Sequence, residues 1–254
     1  ETIEEPFKTT VPQGEPIIQL AEPFDGVDHS YMITPLLAQY VQSLDYRAIH
    51  MVGKNSGPKL EMNLADIMQA LSVKPVAGNG DLAQSKPALG WFYHQSDLSQ
   101  ALDRWVAIRR QTIKRPFLST LERFVNPAQA DILIASAFHP PYGEKMMTIA
   151  ERAGFKGIVI IRNGIEGSIA FPLKRPAKML LSAKQKDGSF LRHEINFDVE
   201  AFLNEPIEME DMVEHPKAID NAKLIDNYLN QSSSGNKLFD LRVKATTTGL
   251  KQAL

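Results

Sequence analysis

The chain contains no cysteine, which removes disulfides, thiolate nucleophiles and thiolate metal sites together. It also lacks any apolar run near the roughly 18 residues that a bilayer-spanning helix needs. Its acidic opening, Glu1-Thr2-Ile3-Glu4-Glu5, is unlike a secretory leader. Strong net charge is missing as well: 28 basic and 30 acidic side chains leave −2, so the chain exerts no global attraction on nucleic acid. The histidines His29, His50, His94, His139, His193 and His215 show no metal-ligand spacing, and no Gly-x-Ser-x-Gly element occurs. Zinc and serine-hydrolase chemistry therefore have no signature. These absences point to a soluble, cytoplasmic protein without membrane partners.

What remains is an ordinary globular composition, with 43% hydrophobic and 23% charged residues in a chain of 254, enough for a sizeable core. That length suits one principal sheet with a helical appendage. The first residue is Glu rather than Met, which suggests a processed chain or a fragment.

A recurring order of strand, polar loop and amphipathic helix argues for α/β architecture, a mostly parallel sheet with helices on both faces. Ile17 to Leu20 reads as a strand, 21–30 as a loop and 31–44 as a helix, with Leu36, Leu37, Tyr40, Val41 and Leu44 at helical spacing. Ala48 to Val52, the loop 53–59 and a helix over 61–71 repeat the order, with Leu60, Leu64, Ile67, Met68 and Leu71 on one face. Asp131 to Phe138, the loop 139–143 and a helix from Glu144 to Ala153 form a third unit, which Gly154 can end in the left-handed conformation; the strand Gly157 to Arg162 follows. Residues 95–125 read as a basic helical insertion whose apolar stripe is Leu98, Leu102, Trp105 and Ile108. Residues 178–186 and 189–197 read as a hairpin turning at Asp187-Gly188 in a type I′ turn. A helix is expected around 216–230, then a loop at 232–236. Because parallel crossovers are right-handed, the loops 21–30, 53–60, 139–143 and 163–168 should share one rim, beyond the carboxyl ends of the strands.

Charge is unevenly spread. Residues 104–123 hold six basic side chains against Glu122 alone, and 174–192 hold six against Asp187 alone. Between Glu194 and Glu214 lie eight acids and no Lys or Arg. Such blocks are solvated faces or binding surfaces, and sequence alone leaves both readings open.

Three rim elements carry chemistry. Gly53-Lys54-Asn55-Ser56-Gly57-Pro58-Lys59 sits between strand and helix, where backbone N–H groups can face an anion; Lys54 and Lys59 add charge, and Asn55 and Ser56 short polar side chains. It is not a Walker A loop, since three residues separate the glycines and Pro58 follows. The loop reads either as a phosphate site or as an ordinary tight turn. Glu166, in Arg162-Asn163-Gly164-Ile165-Glu166-Gly167-Ser168, would stand on the same rim, either as a magnesium-holding carboxylate or as a solvated loop acid. His139 ends a strand there and is placed either to bind phosphate or move a proton, or for a structural role.

In this order the segments resemble the anthranilate phosphoribosyltransferase family, over roughly residues 17–175. The resemblance is carried by Met51-Val52-Gly53-Lys54-Asn55-Ser56 with Asn63 to Leu71, by Arg109-Arg110 with Leu121 to Pro127, and by Asn163-Gly164-Ile165-Glu166, which keeps one of two family carboxylates. The family's Gly-Thr-Gly-Gly-Asp loop is here Ala21-Glu22-Pro23-Phe24-Asp25-Gly26-Val27-Asp28, with bulky and acidic residues where backbone would approach pyrophosphate. Together with Ile33-Thr34-Pro35-Leu36-Leu37 and His139-Pro140-Pro141-Tyr142, this is more similar to the divergent YbiB-like branch. The resemblance implies a phosphorylated ribosyl donor at Asp25, Gly26, Gly53, Lys54, Asn55, Ser56, Gly57 and Lys59, an acceptor near Arg110 and His139, magnesium at Glu166, and a homodimer. It also makes residues 1–16 a linker or tail of a missing N-terminal helical domain, and 17–254 the α/β domain. The alternative is a non-catalytic relative that binds single-stranded nucleic acid through 104–123 and 174–192, with Trp105, Phe117 or Phe171 stacking on bases.

Overall fold

The computed structural model describes residues 3–55, 61–112, 117–204, 207 and 213–254. Among them, seven strands form one sheet: β1 (Ile17–Ala21), β2 (Arg47–Val52), β3 (Trp91–His94), β4 (Ile132–Ala137), β5 (Gly157–Arg162), β6 (Ala177–Lys184) and β7 (Phe190–Phe197), in the order β3-β2-β1-β4-β5-β6-β7. The first five are mutually parallel, and β6 and β7 add an antiparallel edge. This is the expected α/β class.

Alternation along the strands sorts the core into two layers. Ile18, Leu20, Ile134, Val159, Ile161, Met179 and Leu181 face one side; Ile17, Ala21, Leu133, Ala135, Ile158, Ile160 and Leu180 face the other. On the first side lie α1 (Thr34–Gln42), α2 (Leu64–Ala70), α8 (Ala218–Gln231) and α9 (Lys237–Ala253), through Leu36, Ile67, Ile225 and Phe239, together with the short α7 (Val199–Leu203) that follows β7. On the second lies α6 (Tyr142–Arg152), through Met146, Met147 and Ala150. Gly154, at φ +95°, closes α6 as expected.

Three local expectations change. Within 95–125 lie α3 (Gln95–Leu98), α4 (Gln100–Thr112) and α5 (Leu118–Leu121), the first two separated because Ser99 is extended. That break shifts the helical phase, so α4 buries Val106 and Arg109 while Trp105 and Ile108 stay 45% exposed each. At the β6–β7 turn only Gly188 has a positive φ; Gln185 N–H donates to the Ser189 carbonyl (2.7 Å) and Gly188 N–H to that of Gln185 (3.0 Å). The loop is therefore three residues long with glycine in the left-handed position, not a type I′ turn. The third change is β3, which leads without a loop into α3.

Candidate functional site

Viewed from β1, the chain leaves toward β2 through α1, while β4 stands on its other side. Strand order thus reverses between β1 and β4, and a crevice opens there beyond the carboxyl ends. The loop after β1 and the end of β4 form its walls: Pro23, Phe24 and Asp25 on one side, Ser136 to His139 on the other, around a cavity of about 450 Å³. Ser119, Thr120 and Arg123 reach in from beyond α4, Tyr142 from α6, and Glu166 and Gly167 from the loop after β5. Phe117, 70% exposed, and Tyr142 give the mouth an aromatic rim.

Arg123 is nearly buried where it lines this cavity, its guanidinium donating to the carbonyls of Ala21 (3.4 Å) and Ser136 (3.2 Å). Behind the wall, Arg109 is held by both oxygens of Glu122 (2.8 and 2.7 Å) and reaches Asp25 at 3.5 Å. Burial pushes the Glu122 carboxyl above its ordinary range, against the pull of Arg109. This buried bracket joins α4 to the loop after β1.

Two further contacts set the shape of the rim. Glu22 is buried and accepts hydrogen bonds from the hydroxyls of Thr34 and Ser168, tying the first loop to α1 and to the loop after β5. Burial pushes its carboxyl up to about 7, with those hydroxyls partly offsetting the effect. Gly26 and Gly167 meet so closely that a Cβ on Gly167 would lie 1.9 Å from the Gly26 carbonyl oxygen, and both have φ near +81°.

The residues singled out from sequence separate into two groups. Asp25, His139 and Glu166 line the cavity, with Gly26 directly behind. Gly53, Lys54 and Asn55 stand on the β2 side, engaged within the protein. Gly53 lies under the Phe24 ring, where a Cβ would be 2.6 Å from two ring carbons. Lys54 pairs with Asp103 (2.9 Å), and the Asn55 amide donates to the carbonyls of Asp25 (3.0 Å) and Glu61 (2.6 Å). Arg110 donates to the Asn55 carbonyl (2.9 Å), so it braces this loop and is not among the described residues that line the cavity with His139. Ser56, Gly57 and Lys59 lie outside the described residues.

Sequence reasoning missed Asn63, which caps α2 reciprocally with Asp66 and donates to the carbonyls of Phe24 (3.0 Å) and Gly53 (2.9 Å), joining the two loops. It also missed Ser119, Thr120 and Arg123 as cavity residues. The basic run 104–123 was their signal, although two of its arginines point inward. In the second basic run, Arg192 pairs with Glu151 (2.6 Å) and Glu144 (3.2 Å), and Lys178 approaches Glu194 (3.9 Å), which also holds Arg162 (3.1 Å). Among the described residues, Arg109, Lys178 and Arg192 of these runs are thus engaged with acids, and nothing here supports the nucleic-acid reading. Phe171, one of its proposed stacking residues, is fully buried.

Among the described residues no helix is long and apolar enough to cross a membrane. No family model matches the chain. An uncharacterized protein of Aquifex aeolicus (strain VF5) is 32% identical over 96 residues, covering 38% of this chain and 30% of that protein. Among solved structures, anthranilate phosphoribosyltransferase from Thermus thermophilus matches with a TM-score of 0.67 at 17% identity, over 96% of this chain and 70% of that one. The Saccharomyces cerevisiae enzyme in complex with PRPP and Mg matches with a TM-score of 0.63 at 11% identity, over 96% of this chain and 65% of that one. At those identities the likeness establishes the fold, which is that of the anthranilate phosphoribosyltransferases.

Proposed function

We propose that the chain is a phosphoribosyltransferase-like protein of the divergent YbiB-like kind, binding a phosphorylated ribosyl compound in the crevice between β1 and β4 and transferring its pentosyl group. The observation that carries this reading is the cavity at the strand-order reversal, where a nearly buried guanidinium, Arg123, meets the hydroxyl-bearing residues Ser119 and Thr120 and the carboxylates of Asp25 and Glu166. The β2 side of the rim is taken up by Phe24 over Gly53, so the donor's phosphate belongs beside Arg123 rather than on the glycine loop.

In this reading Arg123 and the hydroxyls stabilise charge building on the departing phosphate oxygen, the dominant contribution in such transfers. His139 stands on the β4 wall of the cavity, taken here as the acceptor side, among Phe138 and Tyr142, where its imidazole can accept or return a proton. The rigid bracket of Arg109, Glu122 and Asp25 holds one wall in place without reorganisation. Carboxylates with hydroxyls are the oxygen donors that magnesium prefers, and Glu166 with Asp25 would hold it. When bound, magnesium supplies neutralising charge to the donor's phosphates.

Calorimetry with phosphoribosyl pyrophosphate, with and without magnesium, tests the assignment. Binding that strengthens with magnesium, and weakens at least tenfold in Arg123→Gln and in Glu166→Gln, is expected. Absence of heat at millimolar ligand would end the reading.

A further inference from the structure

On the opposite flank of the loop after β1, a second polar cluster is assembled from three distant parts of the chain. Val27 and Met62 form an isolated antiparallel bridge, Val27 N–H donating to the Met62 carbonyl (2.9 Å), which sets Asp28 beside Glu61. Val213 N–H donates to the His29 carbonyl (3.1 Å), which brings in His215. One ligand atom each from Asp28, Glu61 and His215 then lie within 4.8 Å of one another. A second imidazole borders Asp28 alone: His29 Nε2 is 3.3 Å from Asp28 Oδ2.

The charge balance at this cluster differs from that elsewhere. Where carboxylates converge at two other points, an arginine stands between them: Arg109 between Asp25 and Glu122, and Arg192 between Glu144 and Glu151. Among the described residues, imidazoles stand with Asp28 and Glu61 instead, and a ring nitrogen can ligate a metal ion as a guanidinium cannot. Two carboxylates brought together without a fixed cation repel each other, and a divalent ion in their midst removes that cost.

We propose that Asp28, Glu61 and His215, with His29 beside Asp28, form a binding site for a first-row divalent metal ion. The mixed imidazole and carboxylate set suits manganese or zinc better than magnesium, which favours oxygen alone. Ligands held tetrahedrally at about 2.1 Å from an ion are roughly 3.4 Å apart, so the side chains need to close by no more than about 1.5 Å. The ion would pin the loop after β1, the approach to α2 and the segment before α8 to one point. The site is separate from Glu166 and does not depend on the transferase reading.

The test uses the whole chain, stripped with chelator and titrated with manganese, zinc and magnesium chlorides by calorimetry, with loss of the free manganese resonance signal as a second readout. One manganese or zinc ion per chain is expected, held at least tenfold more tightly than magnesium. Affinity should fall at least tenfold in His215→Ala and in Glu61→Gln, and remain unchanged in Glu166→Gln. Failure of manganese and zinc to bind, equal affinity in the His215→Ala/Glu61→Gln double variant, or loss of the ion in Glu166→Gln would overturn the assignment.

Discussion

The rim of the parallel sheet has two sides that begin alike and end differently. Over β1 and β2, the loop residues satisfy one another: the Phe24 ring lies on Gly53, Asn55 and Asn63 donate to neighbouring carbonyls, and Lys54 turns to Asp103. Over β1 and β4, polar groups that also have partners within the protein, Arg123 and Asp25 among them, border a cavity. Both sides have strand ends, helix starts and basic residues, so backbone topology alone does not separate them. A single aromatic side chain placed where the resembling family has glycine is enough to fill one side.

The largest expected effect tests the bracket that both sides share. Arg109→Met leaves Glu122 and Asp25 as buried carboxylates without their cation, and unfolding free energy measured in urea should fall by about 3–5 kcal/mol. A loss below about 1 kcal/mol would mean that the bracket is not what holds the wall.

Glu22 gives the next effect, through pH. Its folded-state value near 7 lies above the ordinary 4.5, so the native state holds the proton more tightly; the resulting stability is present below about 4.5 and lost as pH rises through 7. Glu22→Gln keeps an acceptor for Thr34 and Ser168, and should gain on the parent by on the order of 3 kcal/mol between pH 5 and 8. His50, which burial pulls down to about 4, contributes the opposite slope between about 4 and 6.5. Because it does so in both proteins, the difference between the two melting curves against pH isolates Glu22. Parallel curves would discard the assignment.

The smallest effect sharpens the comparison directly. Lys54 is half-exposed and paired only at the surface, so Lys54→Gln should change stability by less than about 0.5 kcal/mol and leave affinity for phosphoribosyl pyrophosphate within twofold. A tenfold loss would return the phosphate to the glycine loop.

Sequence made the parallel core legible because strands and helices differ in hydrophobic period, and β1, β2, β4, β5 and the β6–β7 hairpin lie where that period sets them. It missed β3, which runs into α3 with no turn signal, and α9, whose Thr246-Thr247-Thr248-Gly249 run reads as a helix breaker. Gly249 is there because the Phe171 ring would be 2.2 Å from a Cβ, a reason visible only in three dimensions. At the site, Asp25, His139 and Glu166 were legible as rim positions following strands. Arg123 was not, since burial turned a residue of a basic run inward. The cluster at Asp28, Glu61 and His215 has no sequence spacing at all; it exists through two backbone hydrogen bonds between remote segments.

The contact between Gly26 and Gly167 bears on how the crevice can breathe. With a carbonyl seated where a side chain would be, and with the Ser168 hydroxyl donating to Glu22, the loops after β1 and β5 are packed and tied to one another. Were a ligand to bind as proposed, the arc from Phe117 to Thr120 and the turn at His139 would be the lining left to yield at the mouth, against this pair as a fixed anvil.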